Sequence, residues 1–276
     1  ERVLWIPGPG LRSLPPAELF PACTVTMAST LCLNLTKSSS KRPRQTLVAV
    51  CGPAKDNPAG GHLRDWGAKA IAELQAAAQH LGRVRVLASD GPRWGKALLP
   101  ELSGVRDTPA NPTSLLAEAA ESDLLVLVAH GRGDDDTTDR LLCVDECGHT
   151  VPLTTDDIGT QSQAFAGATV ILLACATAAT KDDLAEPGGV AQALLSAGAA
   201  MVVAPLIPVE VSVAVAIGKS LIAAHADGTS LDVALAQTLT GSRVASPKLG
   251  PAGGRRRGDL ATDREDQRRS FVCLIG

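Results

Sequence analysis

Two short, continuous apolar segments constrain the fold of this chain more than any other feature. Leu124–Ala129 reads LLVLVA and Thr169–Ala174 reads TVILLA, and runs of this length between turn residues are typical of buried strands. A strand that is apolar along its whole length belongs in a parallel sheet covered on both sides, because neither of its faces meets water. The sequence therefore predicts an α/β fold with a mostly parallel central sheet and helices on both faces.

The rest of the chain repeats this alternation between short Val-, Ile- and Leu-rich runs and Ala-rich stretches at helical spacing, which is typical of βαβ units. The other predicted strands are Val3–Ile6, Thr46–Val50, Val84–Ala88, Met201–Pro205 and Phe271–Ile275. The predicted helices are His62–Leu81, Ser114–Ala120, Gly189–Ala197, Val211–Ala224 and Ser230–Leu239. In addition, Leu141–Val144 and Thr150–Leu153 are predicted to pair as a short ribbon.

A single domain over residues 1–276 accounts for this pattern. Hydrophobic residues make up 45% of the 276 residues, which is enough to bury one large core. Gly241–Arg269 is rich in Gly, Pro, Arg and Asp and is predicted to be a long exposed loop. Because the chain starts at Glu1, without Met, on a strand-like segment, we expect it to be part of a longer polypeptide with an N-terminal module, or a processed product.

Composition argues against several classes of function. The net charge is −3 and aromatic residues are only 2% of the chain, so we expect no direct contact with nucleic acid. The seven cysteines include no CxxC pair, and Cys143, Cys147 and His149 lack a fourth ligand at zinc spacing. We therefore expect no metal and a reducing, cytoplasmic location for mostly buried free thiols. No apolar run is long enough to predict a membrane span.

Two predicted strands end directly before side chains that can carry chemistry. His130 and Gly131 follow Leu124–Ala129, and Cys175 follows Thr169–Ala174. Functional groups of open α/β sheets gather at the carboxyl ends of strands, and neighbouring strands lie about 4.8 Å apart. If these two strands are neighbours, the His130 imidazole can take the proton of the Cys175 thiol, which needs a base to become a nucleophile at neutral pH.

Backbone N–H groups at the same positions can supply an oxyanion hole. A glycine after the base can turn its N–H toward the substrate with no Cβ in the way, so Gly131 is one candidate donor and the N–H of Cys175 is the second. Two simpler interpretations stay open at this point. A buried cysteine at the end of a core strand is commonplace, and a His-Gly pair after a strand can be a plain turn.

The sequence resembles the CHAT family, which is related to caspases and separases. Six segments carry the resemblance in the order that the family has them, including the histidine motif LLVLVAHGRG and the cysteine strand FAGATVILLACATA. These segments are Ile6–Phe20, Leu124–Gly133, Leu141–Ile158, Phe165–Ala178, Gly188–Glu210 and Ser270–Gly276. The resemblance implies a caspase-haemoglobinase-like sandwich and a cysteine endopeptidase without a cofactor, whose dyad falls on His130 and Cys175.

The resemblance also implies where a protein substrate binds. The segment after the Met201–Pro205 strand is expected to pair with the substrate as an added strand and to form part of the primary specificity pocket. Its residues are Leu206, Ile207, Pro208, Val209 and Glu210. Many relatives carry a Trp and several acidic residues here, whereas this chain has Glu210 as its one acid. We therefore expect an apolar or small substrate residue before the scissile bond rather than Arg or Lys.

Relatives of this kind are often fused to repeat or sensor modules and act in bacterial defence or cell death. The expected function is thus the cleavage of specific protein partners, activated by a partner or by such a module. Two rival hypotheses are a catalytically idle CHAT-fold interaction domain and an α/β domain that binds a small ligand. The dyad residues argue against the first rival, and the absence of a GxGxxG or P-loop motif argues against the second.

Overall fold

The computed structural model describes residues 2–5, 16–20, 23–28, 45–51, 54, 61–88, 108–132, 139–161, 164–174, 189–241 and 271–275. The strands in these ranges are β1 (Arg2–Trp5), β2 (Thr24–Ala28), β3 (Gln45–Val50), β4 (Arg83–Ala88), β5 (Leu124–Val128), β6 (His130–Arg132), β7 (Arg140–Val144), β8 (Thr150–Thr154), β9 (Thr169–Leu173), β10 (Met201–Pro205) and β11 (Phe271–Ile275). The helices are α1 (Pro16–Leu19), α2 (Gly61–Ala78), α3 (Pro112–Ala120), α4 (Thr155–Thr160), α5 (Val190–Ser196), α6 (Val211–Ala226) and α7 (Leu231–Gly241).

The main sheet has eight strands in the order β1-β2-β11-β10-β9-β5-β3-β4. All neighbouring pairs are parallel except β10 and β11, which are antiparallel. The strands β10, β9, β5, β3 and β4 thus run in one direction, and β11, β2 and β1 run in the other. This arrangement confirms the predicted mostly parallel sheet, and it brings the carboxyl ends of the five co-directional strands to one edge.

Helices cover the sheet on both faces, as the apolar strands require. Alternate residues of β5 pack in opposite directions: Leu125 and Leu127 join a core beneath α3, α4 and α5, whereas Leu124, Val126 and Val128 join a core beneath α2, α6 and α7. Each of these five residues is at most 1% exposed. Burial on both faces fixes the register of the strand, because a slip of one residue would exchange the side chains between the two cores.

A second, antiparallel sheet of three strands, in the order β6-β7-β8, lies beyond the end of β5. The register of β7 and β8 runs from Arg140 opposite Thr154 to Val144 opposite Thr150, so the predicted ribbon is confirmed. The third strand, β6, was not expected from the sequence, and it places His130 opposite Leu142.

The predicted strands and helices are found in the structure, with shifts at their ends. Helix α3 begins earlier than predicted because the Oδ1 atom of Asn111 accepts a hydrogen bond of 2.7 Å from the N–H of Ser114, and Pro112 is tolerated in the first turn. Strand β2 and the short α1 were missed. Apart from Gly241, which ends α7, the predicted long loop lies outside the described residues.

None of the helices in the described part of the chain is long and apolar enough to cross a membrane.

Gly218 allows α6 to approach β9 closely, and this contact yields a test of the packing. A Cβ atom on Gly218 would lie 2.7 Å from Cδ1 of Leu173 and 3.1 Å from Cδ2 of Leu74, and both leucines are buried. We expect Gly218→Val to lower the free energy of unfolding by about 1–3 kcal/mol, as measured by urea denaturation, because a close-packed core has no room for the branch.

Gly159 in α4 is the matched control, because a Cβ built there meets nothing within 4 Å. Gly159→Ala should leave stability unchanged or raise it by up to about 1 kcal/mol through helix propensity. Equal effects of the two substitutions would show that α6 does not pack on β9 as described.

Candidate active site

The candidate site lies at the edge where β5, β9 and β10 end together. Within this group β5 pairs with β9 and β9 pairs with β10, all in parallel. The condition set by the sequence argument, that the strands before His130 and Cys175 are neighbours, is therefore met. The three segments that leave this edge begin with Ala129, Ala174 and Leu206.

The register between β5 and β9 is defined up to the residues that precede His130 and Cys175. It begins with Leu124 opposite Thr169 and ends with Val128 opposite Leu173. At the amino end it is held by the N–H of Thr169, which donates to the carbonyl of Asp123 over 2.9 Å. His130 and Cys175 each follow the last pair by two residues. Cys175 itself lies outside the described residues, so its role stays a prediction.

His130 is held on a strand and not on a plain turn. After Ala129, which is buried, the chain enters β6, where His130 lies opposite Leu142. The residue is half-buried and its Nε2 atom is buried. The β6–β7 ladder therefore restricts the position of the imidazole, as a catalytic base requires.

Gly131 continues β6 opposite Leu141 and is half-buried. In the three-stranded sheet β6 is an outer strand, with β7 on its inner side. In an antiparallel pair, backbone N–H groups point alternately toward and away from the neighbouring strand. An outer strand therefore presents N–H groups to an incoming chain. The oxyanion role of Gly131 stays a prediction.

The predicted substrate segment follows β10 and combines buried and exposed apolar residues. Leu206 is buried, whereas Ile207 is 39% exposed and Pro208 is also exposed. Val209 is half-buried against the core beneath α6. Glu210 is the N-cap residue of α6 with an extended backbone, and its carboxylate accepts a hydrogen bond from the hydroxyl of Ser212. The one acid of this segment is thus already engaged by the first turn of α6.

The structure adds a pair of thiols that sequence reasoning did not bring together. Cys51 follows β3, and its N–H donates to the carbonyl of Val128 over 2.7 Å. Its Sγ atom lies 3.9 Å from Sγ of Cys143 on β7. The hydrogen bond to Cys51, together with burial, raises the pKa of the Cys143 thiol well above its usual range. Because 92 positions separate the two cysteines, no local pattern could have predicted the contact.

The other described cysteines lie in contrasting surroundings. Cys273 on β11 is buried, and desolvation followed by the charge of Asp232 raises the pKa of its thiol. Cys147 is exposed in the turn between β7 and β8. In the same turn, Oδ1 of Asp145 accepts a hydrogen bond of 2.7 Å from the N–H of His149.

Among the described residues, no group of three or more His, Cys, Asp or Glu side chains could hold a metal ion.

Comparison with known proteins relates this architecture to a family. The family model described as the CHAT domain matches residues 2–246. No curated protein sequence matches the chain.

Two solved structures are among those similar to the chain. The separase in the Saccharomyces cerevisiae separase–securin complex is similar over 96% of this chain and 15% of its own, with 16% identity and a TM-score of 0.55. A secreted C11 cysteine protease from Bacteroides thetaiotaomicron has 12% identity and a TM-score of 0.46, over 76% of this chain and 62% of its own. The chain thus spans less than two thirds of each of these proteins. The separase likeness confirms the predicted caspase-like α/β fold.

The burial of the described cysteines predicts the order in which native protein is alkylated. With iodoacetamide at neutral pH, Cys147 should react faster than Cys143 and Cys273, because the thiolate is the reactive form and burial opposes it. Peptide mass spectrometry after timed quenching measures each rate. Rapid alkylation of Cys143 or Cys273 in folded protein would contradict their placement in the core.

Proposed function

The chain belongs to the CHAT domain family, and from that premise we propose that it is a cysteine endopeptidase with His130 as the base and Cys175 as the nucleophile. The fold it shares with separase supports a peptidase. The assignment of the two residues rests on this chain's own sheet.

The observation that carries the proposal is the register of β5 against β9. Val128 lies opposite Leu173. In the sequence His130 is two residues after Val128, and Cys175 is two residues after Leu173. Neighbouring strands are about 4.8 Å apart, so side chains that leave the same edge at the same level are within reach of a proton transfer. If these were core strands without a catalytic role, nothing would require a histidine and a cysteine to follow them at the same distance in sequence.

In the proposed mechanism His130 takes the proton of the Cys175 thiol, and the thiolate attacks the carbonyl carbon of the scissile peptide bond. The resulting oxyanion is held by the N–H groups of Gly131 and Cys175. When the tetrahedral intermediate collapses, His130 gives its proton to the leaving amine and a thioester remains. Water, activated by His130, then hydrolyses the thioester and restores the free thiol.

The substrate class follows from the residues after β10. Leu206–Glu210 would pair with an extended substrate chain and line the pocket for the residue before the scissile bond. Ile207 offers exposed apolar surface there. The carboxylate of Glu210 already accepts a hydrogen bond from the hydroxyl of Ser212. An apolar or small substrate residue fits these surroundings better than a basic one, which would need a free acid for its charge.

We place this activity in the cytoplasm, in a bacterial defence or cell-death system, where a partner or an attached sensor module would activate the enzyme. The similar yeast structure is a complex of separase with securin, so the fold is known in association with a second protein. The substrates would be one or a few specific proteins, without direct contact to nucleic acid or membrane.

Substitution of the dyad is the direct test of this function. Cys175→Ala and His130→Ala should each abolish cleavage of the protein substrate, which can be sought among the proteins encoded next to this chain by mapping new N-termini. Cys147→Ala, which removes an exposed thiol in the turn between β7 and β8, should cleave like the wild type. Circular dichroism should show all three variants folded. Cleavage by folded Cys175→Ala would eliminate the proposed nucleophile.

The oxyanion role of Gly131 gives a separate prediction. Gly131→Val should reduce turnover by about 100- to 1000-fold, the usual cost of losing one oxyanion donor, because the branched side chain disturbs the backbone of β6. Alkylation of Cys175 should continue, since the dyad remains. Unchanged turnover in this variant would remove Gly131 from the site.

A further inference from the structure

A pair of buried thiols lies in the core that also contains Ala129, the residue before the candidate base. Cys51 is the first residue after β3, and Cys143 lies on β7. Their Sγ atoms are 3.9 Å apart, and the residues are 1% and 0% exposed. The two cysteines thus connect the end of β3 in the main sheet with β7 in the three-stranded sheet.

Both cysteines lie beside the segment Val128–His130, which joins the main sheet to the three-stranded sheet. The N–H of Cys51 donates to the carbonyl of Val128, the last residue of β5. Cys143 directly follows Leu142, which lies opposite His130. The covalent link between the sheets runs from Val128 through Ala129 to His130, so the thiol contact lies beside the segment that positions the candidate base.

We propose that Cys51 and Cys143 are a modification site, at which peroxide converts the two thiols into a reversible disulfide that cross-links β3 to β7. The separation of the sulfur atoms requires a small closure only, because a disulfide brings them to about 2.05 Å. The partners come from different sheets, so the bond would join elements that are otherwise held by packing.

The oxidation needs one thiol to react with peroxide and the other to complete the disulfide. The Sγ atom of Cys143 lies 3.9 Å from that of Cys51, so Cys143 is placed to react with an oxidised Cys51. The sulfur of Cys51 loses its proton and attacks hydrogen peroxide, which gives a sulfenic acid on Cys51 and, with that proton, water. The sulfur of Cys143 then attacks the sulfenic sulfur, and the expelled hydroxide takes the Cys143 proton as a second water. Two thiols and one peroxide become one disulfide and two waters.

The cross-link would act on the peptidase through the position of His130, and this consequence rests on the proposed function. The sulfur atoms must approach by about 2 Å to bond, and β7 carries both Cys143 and the partner of His130. A misplacement of about 1 Å in a catalytic group can cost about 100-fold in rate. We therefore expect the oxidised protein to cleave substrate about 100-fold more slowly and to recover under dithiothreitol.

Peptide mapping tests the bond without any assumption about activity. The wild-type chain is treated with hydrogen peroxide, its remaining thiols are blocked, and it is digested under non-reducing conditions with trypsin and a glutamyl endopeptidase. Cleavage after Arg140 and Glu146 separates Cys143 from Cys147 and Cys175, and cleavage after Arg44 and Lys55 isolates Cys51. The expected product is a linked pair of peptides, Gln45–Lys55 with Leu141–Glu146, lighter than their sum by two hydrogen atoms. If exposed Cys147 oxidises completely and no such link forms, the modification site is refuted.

The displacement of His130 is read separately by NMR of the histidine ring protons, which does not depend on proteolysis. The chain has five histidines, and His130→Ala identifies the signal of interest. On oxidation this signal should shift and should return on reduction, whereas that of His225, within α6 on the opposite face of the sheet, should stay. A disulfide that forms without moving the His130 signal would overturn the proposed effect on the site, whether or not the chain proves to be a peptidase.

Discussion

Burial of the central strands on both faces is the constraint from which the rest of this structure follows. Because β5 and β9 send alternate side chains into two separate cores, neither strand can slip against the other without placing its residues in the wrong core. The register is therefore fixed along the whole length of the strands. It also determines that Val128 and Leu173, the last residues of β5 and β9, lie opposite one another. The candidate dyad depends on this register more than on any contact within the site.

The three-stranded sheet gives the candidate base, His130, a fixed position beyond the end of the main sheet. A strand that ended in a free turn would leave the His130 imidazole many orientations, at a cost in entropy for each catalytic event. Pairing of β6 with β7 removes much of this freedom, and the contact between Cys51 and Cys143 ties β7 back to the main sheet. The same contact that supports the site is thus the place where oxidation would disturb it.

Much of the fold could be predicted because the apolar runs that form strands are local and unambiguous. Leu124–Ala129 and Thr169–Ala174 are apolar along their whole length, which favours strands covered on both faces. Strand β2 escaped prediction since Thr24, Val25 and Thr26 are all partly exposed before the buried Met27. Strand β6 escaped because three residues carry no pattern. The insertion of β11 between β10 and β2 depends on pairings across most of the chain, which local sequence does not encode. The candidate residues were found from strand ends, whereas the thiol pair needed the tertiary structure.

The central claim, that His130 ionises the Cys175 thiol, is tested most directly by the pH dependence of Cys175 alkylation. A free cysteine has a pKa of about 8.5 and becomes unreactive as the pH falls below it, whereas a thiolate paired with imidazolium persists to lower pH. The account predicts that Cys175 in the wild-type chain is still alkylated rapidly near pH 6, and that His130→Ala moves its profile toward that of exposed Cys147. Profiles of Cys175 that coincide in the two proteins, with a midpoint near pH 8.5, would contradict the assignment.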